Sequence, residues 1–293
     1  MNTQRVKTLV ICMLLAVNVV LGALIFDNEN RYKLSNKQET AIRAILTQNG
    51  IGLYALLPAD YAPKRMLLLQ PYTFNEEKLT NLLFPEGDAR RTESIDGKPV
   101  YVSGETELYV DGGRLLYVNP DGFIPAGQGL SSHTDARKLC DAVVAELSSP
   151  QIKFTADDKP IVYREDNYTI YEYRGRYRDY TLHTNYIKFR VTNAGITELL
   201  CSFTTPDGFT GEARDMYSCD EALLSLLGEL KSIYGNMESE VIVITRVDVV
   251  YYLEESSQGS QNVLKAVPYY RIYTRMSPET PFLINAYNNN MLR

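Results

Sequence analysis

Cys219 has the best local setting for a nucleophile in this sequence. It follows Ser218 at the first turn of a capped helical pattern, where the helix dipole favours a thiolate. Asp220 and Glu221 oppose that charge, and no basic side chain or histidine lies close in sequence. The chain has 2 histidines, His133 and His183, far apart and without metal-ligand spacing, so a loop contact and a sheet-face residue describe them best. No HExxH, GxSxG, CxxC or GK[ST] pattern occurs. Asp111-Gly112-Gly113 follows a strand pattern but opens no helix, so a phosphate cradle there lacks its dipole. Asp157-Asp158 and Glu254-Glu255 imitate paired acids, but such pairs in turns are usually solvated. Tyr163, Tyr168, Tyr171, Tyr173, Tyr177 and Tyr180 offer stacking surfaces for a glycan or peptide, yet their spacing suits cross-strand pairs. The residues therefore point to a protein that is not an enzyme and that needs neither cofactor nor metal. A thiol or acid hydrolase remains the contrary reading, with Cys219→Ala as its test.

One apolar run organises the rest. Residues 8–26 carry no charge, follow Arg5 and Lys7 and precede Asp27 and Glu29. As a helix the run spans about 28 Å, close to a bilayer core. The charge order predicts a cytoplasmic stub at residues 1–7, a transmembrane helix at 8–26 and everything later outside. A cleaved signal peptide, with Val20 and Gly22 before the cut, competes, but its apolar region runs to only about 7–15 residues. Ile11, Leu15, Asn18 and Gly22 share one helix face, and an amide beside a small residue is how membrane helices pair, making these four the candidate partner-binding residues. Asn18 bonding only its own backbone is the bland counterpart.

The external part is long enough for a real core, and the net charge of −6 with mixed signs supplies no basic field for nucleic acid. There are 22 tyrosines, many in alternating runs, which is a β-rich signature. Cys140, Cys201 and Cys219 are three thiols without regular spacing, so they make no disulfide framework. Cys201 with Cys219 would close a short loop; otherwise they are small buried hydrophobes.

Local signals divide residues 27–129 from 130–293, with the turn-rich 119–129 as linker. The first unit has a helix at 35–50 with Ser35 and Gln38 as capping box, a strand at 64–72 and a helix after the Asn75 cap. Strands at 99–103, 107–110 and 114–118 complete it. The second has a helix at 134–148 and strands at 160–173, 177–192 and 196–205, turning at Gly175, at residues 193–195 and at 206–208. A helix from Ser218 to Gly235 and strands at 240–254, 263–275 and 282–287 follow, with a polar tip at 256–261. The fold class expected is α+β: an N-terminal transmembrane helix and two lobes of antiparallel sheet packed with helices.

The basic stub, the helix with Asn18 and Leu21-Gly22, and the C-terminal Val267-Pro268-Tyr269-Tyr270-Arg271-Ile272-Tyr273 and Phe282-Leu283-Ile284-Asn285-Ala286-Tyr287 resemble the YycH/YycI family, most of all YycI in length and topology. That family comprises membrane-anchored regulators of the WalK (YycG) sensor histidine kinase of Gram-positive bacteria. The resemblance implies a single-pass protein of the cell membrane whose helix packs against the kinase's helices. Its external part would pair with the kinase or a YycH-like protein and so set expression of cell-wall genes. It supplies no catalytic residues and no cofactor. The alternative is a tethered extracytoplasmic module that binds a cell-wall peptide, a glycan or a protease.

Overall fold

The computed structural model describes residues 11, 13–22, 31–84, 87–125, 130, 132–148, 154, 160–234, 242–253 and 264–292. In chain order, α1 (Asn36–Gln48), β1 (Ile51–Leu53), β2 (Lys64–Pro71) and α2 (Glu76–Leu83) precede β3 (Arg90–Glu93), β4 (Pro99–Ser103), β5 (Thr106–Asp111) and β6 (Arg114–Phe123). Next come α3 (His133–Leu147), β7 (Ile161–Arg164), β8 (Thr169–Tyr177), β9 (Tyr180–Thr192), β10 (Gly195–Ser202) and β11 (Thr204–Arg214). The chain continues through α4 (Cys219–Tyr234), β12 (Ile242–Leu253), β13 (Leu264–Thr274) and β14 (Phe282–Asn285).

All these strands join one 14-stranded mixed sheet, its main path running β11-β2-β13-β12-β9-β10-β6-β5-β4-β3. The two antiparallel lobes expected from sequence give way to this single sheet. The reason is pairing across the presumed divide. Met66 to Pro71 of β2 pair with β11, Leu67 to Leu69 of the same strand pair with β13, and β6 pairs with β10. Two contacts are parallel, β1 with β12 and β12 with β9. The expected transmembrane helix is corrected too. No helix among the described residues is long and apolar enough to cross a membrane. The described helical residues 13–22 reach about 15 Å, half of a bilayer core; residues 8–10, 12 and 23–26 of the run lie outside the described residues.

The two larger apolar clusters among the described residues pack helices on the sheet, each drawing on both halves of the chain. One packs Leu79 and Leu83 of α2 and Leu139 and Val143 of α3 on Leu115, Phe189 and Leu199. The other packs Ile42 and Leu46 of α1 and Leu223, Leu226 and Leu230 of α4 on Ile244, Ile272 and Ile284. Each fully buried Leu or Ile contributes about 1.5–3 kcal/mol, so these stripes fix the helices on the sheet. Local signals set the helix starts. Ser35 and Gln38 form the reciprocal capping box, Asn75 accepts from the Lys78 N–H, and the Ser218 N–H donates to Glu221 at 2.7 Å.

Turn residues misled locally. Residues 119–122, expected in a linker, continue β6 past its last pair with β5. Gly122 allows this: at φ 79° it sits against Ala194, whose oxygen would lie 2.4 Å from any Cβ there. Residues 126–129 of that linker, the polar tip at 256–261 and Gly235 lie outside the described residues. Pro206-Asp207-Gly208 is not a stop but a bulge inside β11, an edge strand where proline costs no ladder bond. Gly175 lies within β8, and the hairpin turns instead at Arg178-Asp179 between paired Tyr177 and Tyr180.

Candidate functional site

The four partner-binding candidates fall on the N-terminal helical stretch, outside every core. Ile11 is 56% exposed and Leu15 59%, Asn18 is exposed, and Gly22 has no atom within 4 Å of a Cβ position. Met13, Leu14, Val17, Val19, Val20 and Leu21 are exposed as well. A helix apolar on all sides is stable only where something other than water covers it.

The nucleophile and ligand candidates are placed very differently. Cys219 is 0% exposed in the α4 core, where burial, then Asp220 and Glu39, push its thiol up to about 12. That opposes the thiolate expected at a helix start. Cys140 and Cys201 are buried, with thiols pushed up by desolvation, and Cys201 and Cys219 lie in different cores, both unpaired. Burial, then Arg174 and Arg271, hold His183 down at about 2, so its imidazole stays neutral and is no pH switch. Asp157-Asp158 and Glu254-Glu255 lie outside the described residues, as does Cys12. Among the described residues no group of His, Cys, Asp and Glu is arranged to hold a metal.

The tyrosine series divides. Tyr171 opposes Phe189 and Tyr173 opposes Ile187 in the β8–β9 ladder, and both are buried, as cross-strand pairing demands. Tyr163 stands near a charged seam instead. There Arg271 of β13, 0% exposed, grips Asp248 of β12 through Nε and Nη2, both at 2.8 Å. Glu172 of β8, 1% exposed, pairs with Arg174 and, at 3.6 Å, with Lys188.

Tyr180 belongs to a third environment, a pocket of about 410 Å³, and Tyr177 packs beside it against Phe209. The pocket is lined by Lys64, Arg65 and Arg178 together with Tyr180, Phe209 and Tyr251. The rings hold one another, with centroids 5.3 Å apart for Tyr180–Phe209 and Tyr180–Tyr251. They also hold the cations. Lys64 Nζ lies 5.4 Å from the Tyr180 centroid, and the Arg178 guanidinium lies 5.4 Å from Tyr177 and 5.8 Å from Phe209. Tyr251 donates its hydroxyl to the Arg65 carbonyl at 2.8 Å, fixing that stretch of backbone. No residue lining this pocket is acidic. Lys64 has a counter-charge in Asp60, whose carboxylate is 3.9 Å from its Nζ.

Arg178 takes φ 54°, a left-handed conformation that costs a side-chain-bearing residue about 1–2 kcal/mol. A larger pocket, about 640 Å³, lies between the β7–β8 turn and the start of α3, but its wall sets Arg164 against Glu165 and Asp166 and presents no field of one sign. Sequence reading found the two tyrosines but not the cationic pocket. Four separate segments build it, and only the neighbouring Lys64-Arg65 and the Tyr177-Arg178-Asp179-Tyr180 turn give a local hint.

No family model matches this chain, and no curated protein sequence matches it. Among solved structures it is similar to that of an uncharacterized protein from Eubacterium rectale ATCC 33656, with a TM-score of 0.55 and 12% identity over 84% of this chain and 91% of that one. At such identity the likeness shows the fold alone.

Proposed function

We propose that this chain is a regulator of a membrane sensor histidine kinase of the WalK (YycG) type, acting without catalysis, alongside a YycH-like partner. In this reading the N-terminal apolar segment holds it at the cell membrane, and the folded part lies on the extracytoplasmic side. The observation that carries the reading is the stretch 13–22, whose large apolar side chains are all exposed and call for a lipid or helical neighbour. The resemblance of the terminal segments to YycI supplies the kinase as that neighbour. Regulation then needs only differential binding: contact with one kinase state, stronger than with the other, shifts the balance by that difference.

Replacing Asn18 and Gly22 together with leucine removes the amide and the close-approach site on that face. Kinase autophosphorylation in reconstituted membranes is expected to move to the level seen without the regulator, while the folded part keeps its unfolding midpoint. Unchanged kinase control would place the contact elsewhere. A second reading, a tethered binding module, is favoured by the cationic pocket. Exchange of residues 8–26 for an unrelated anchor separates the two, since the module keeps its function and the helix-pairing regulator loses it.

A further inference from the structure

We propose that the pocket lined by Lys64, Arg65 and Arg178 is a phosphate-binding site. Lys64, Arg65 and Arg178 line one concave surface with no acidic lining residue, and two guanidinium groups with an ammonium are the donor set that recognises a phosphate's charge and several oxygens. Arg65 and Arg178 are exposed and Lys64 is partly buried, and the rings beside them hold Lys64 and Arg178 in place by cation–π attraction. Arg178 adds an independent observation. Glycine or asparagine would sit in the left-handed turn more easily, yet an arginine occupies it, and from that turn its guanidinium reaches Tyr177 and Phe209.

The site stands close to where the N-terminal segment enters the fold. The backbone of Tyr61 donates to Tyr32, its hydroxyl donates to the Arg31 carbonyl, and Lys33 bridges to Asp60, four residues before Lys64. A phosphate can therefore come from a lipid headgroup or from a soluble phosphate-bearing molecule, and the chemistry recognised is the same. This site does not depend on the kinase reading.

The test uses the full chain in phosphatidylcholine nanodiscs, titrated calorimetrically with glycerol phosphate. Saturable binding is expected, weakened at least about tenfold by Arg178→Gly, which removes one charge-assisted contact. Because glycine relieves the positive φ, that variant is expected to keep or raise the unfolding midpoint, so a binding loss cannot be ascribed to misfolding. Arg90→Gln, on the opposite edge strand β3, controls for general surface charge and is expected to bind as the parent does. Phosphatidylglycerol in the nanodisc then assigns the source. Protection of the amides of residues 64–65 and 178–180 from hydrogen exchange without added soluble phosphate marks a headgroup, and protection only with glycerol phosphate marks a soluble ligand. Either outcome supports the site. Absence of saturation in both arms, undiminished binding by Arg178→Gly, or equal loss in Arg90→Gln overturns it.

Discussion

Asp248→Ala is expected to lower the unfolding free energy by about 3–5 kcal/mol, because it strands a buried guanidinium. Arg271 is 0% exposed and gives Nε and Nη2 to the two Asp248 oxygens, and Arg246 adds a further contact at 2.8 Å. Urea titration measures the loss. The double variant Asp248→Leu with Arg271→Met removes both charges and is expected to recover most of it, since a buried pair contributes little net stability over apolar residues of similar volume.

The same pair sets an acid limit. Burial pushes the Asp248 carboxyl up, but the Arg271 hydrogen bond and charge, with Arg246, outweigh it and hold the group below its ordinary 3.8. A carboxylate depressed in the folded state contributes stability that is fully present above its unfolded pKa and is lost as pH falls through the folded one. The parent's urea midpoint is therefore expected to fall below about pH 4 more steeply than that of Asp248→Ala.

Asn185→Ala is the second large effect, expected to cost about 2–4 kcal/mol by orphaning buried backbone groups. Asn185 is 0% exposed; its amide donates to the Thr204 carbonyl at 2.8 Å and accepts the Thr204 N–H at 2.9 Å and hydroxyl at 2.7 Å. It stands in the bulge where the β8–β9 register slips between Arg174 and Gly175. Around this bulge β9 changes neighbour, pairing with β12 at Thr181 and Leu182 and with β10 from Tyr186 onward. One amide thus ties the sheet's change of neighbour to the start of β11, the strand that carries Phe209 into the cationic pocket. Asn185→Asp tests the geometry: a carboxylate still accepts from Thr204 but cannot donate to its carbonyl, so it is expected to lose stability as well. Urea unfolding of both variants reads this out.

Neither Asp248 nor Asn185 announces itself in the sequence, and the contrast with what does is instructive. The Ser35–Gln38 capping box, the Asn75 cap and the apolar stripe of α4 were legible because each is settled within one or two turns of chain. Strand β4 was legible at both ends for the same reason. Pairing was not. The short apolar run at residues 66–69 reveals a strand but not that its neighbours are β11 and β13, well over a hundred residues away. That long-range choice is what turned two expected lobes into one mixed sheet. Arg271 was read only as part of a terminal tyrosine-rich strand, and β13 is buried along nearly its whole length, so its charge lies inside rather than on a solvated face. The cationic pocket escaped for a related reason, since Lys64, Arg178 and Phe209 meet only after the sheet has closed.

The N-terminal apolar face, with Asn18 at its middle, is what we propose a membrane sensor kinase contacts. The most direct measurement places a photoreactive side chain at Asn18 in the full chain, in its native bilayer, and identifies what it captures. The account predicts cross-links to a membrane helix of a histidine kinase. Capture of lipid alone would contradict it, leaving the segment a tether and the phosphate pocket the place to look for function.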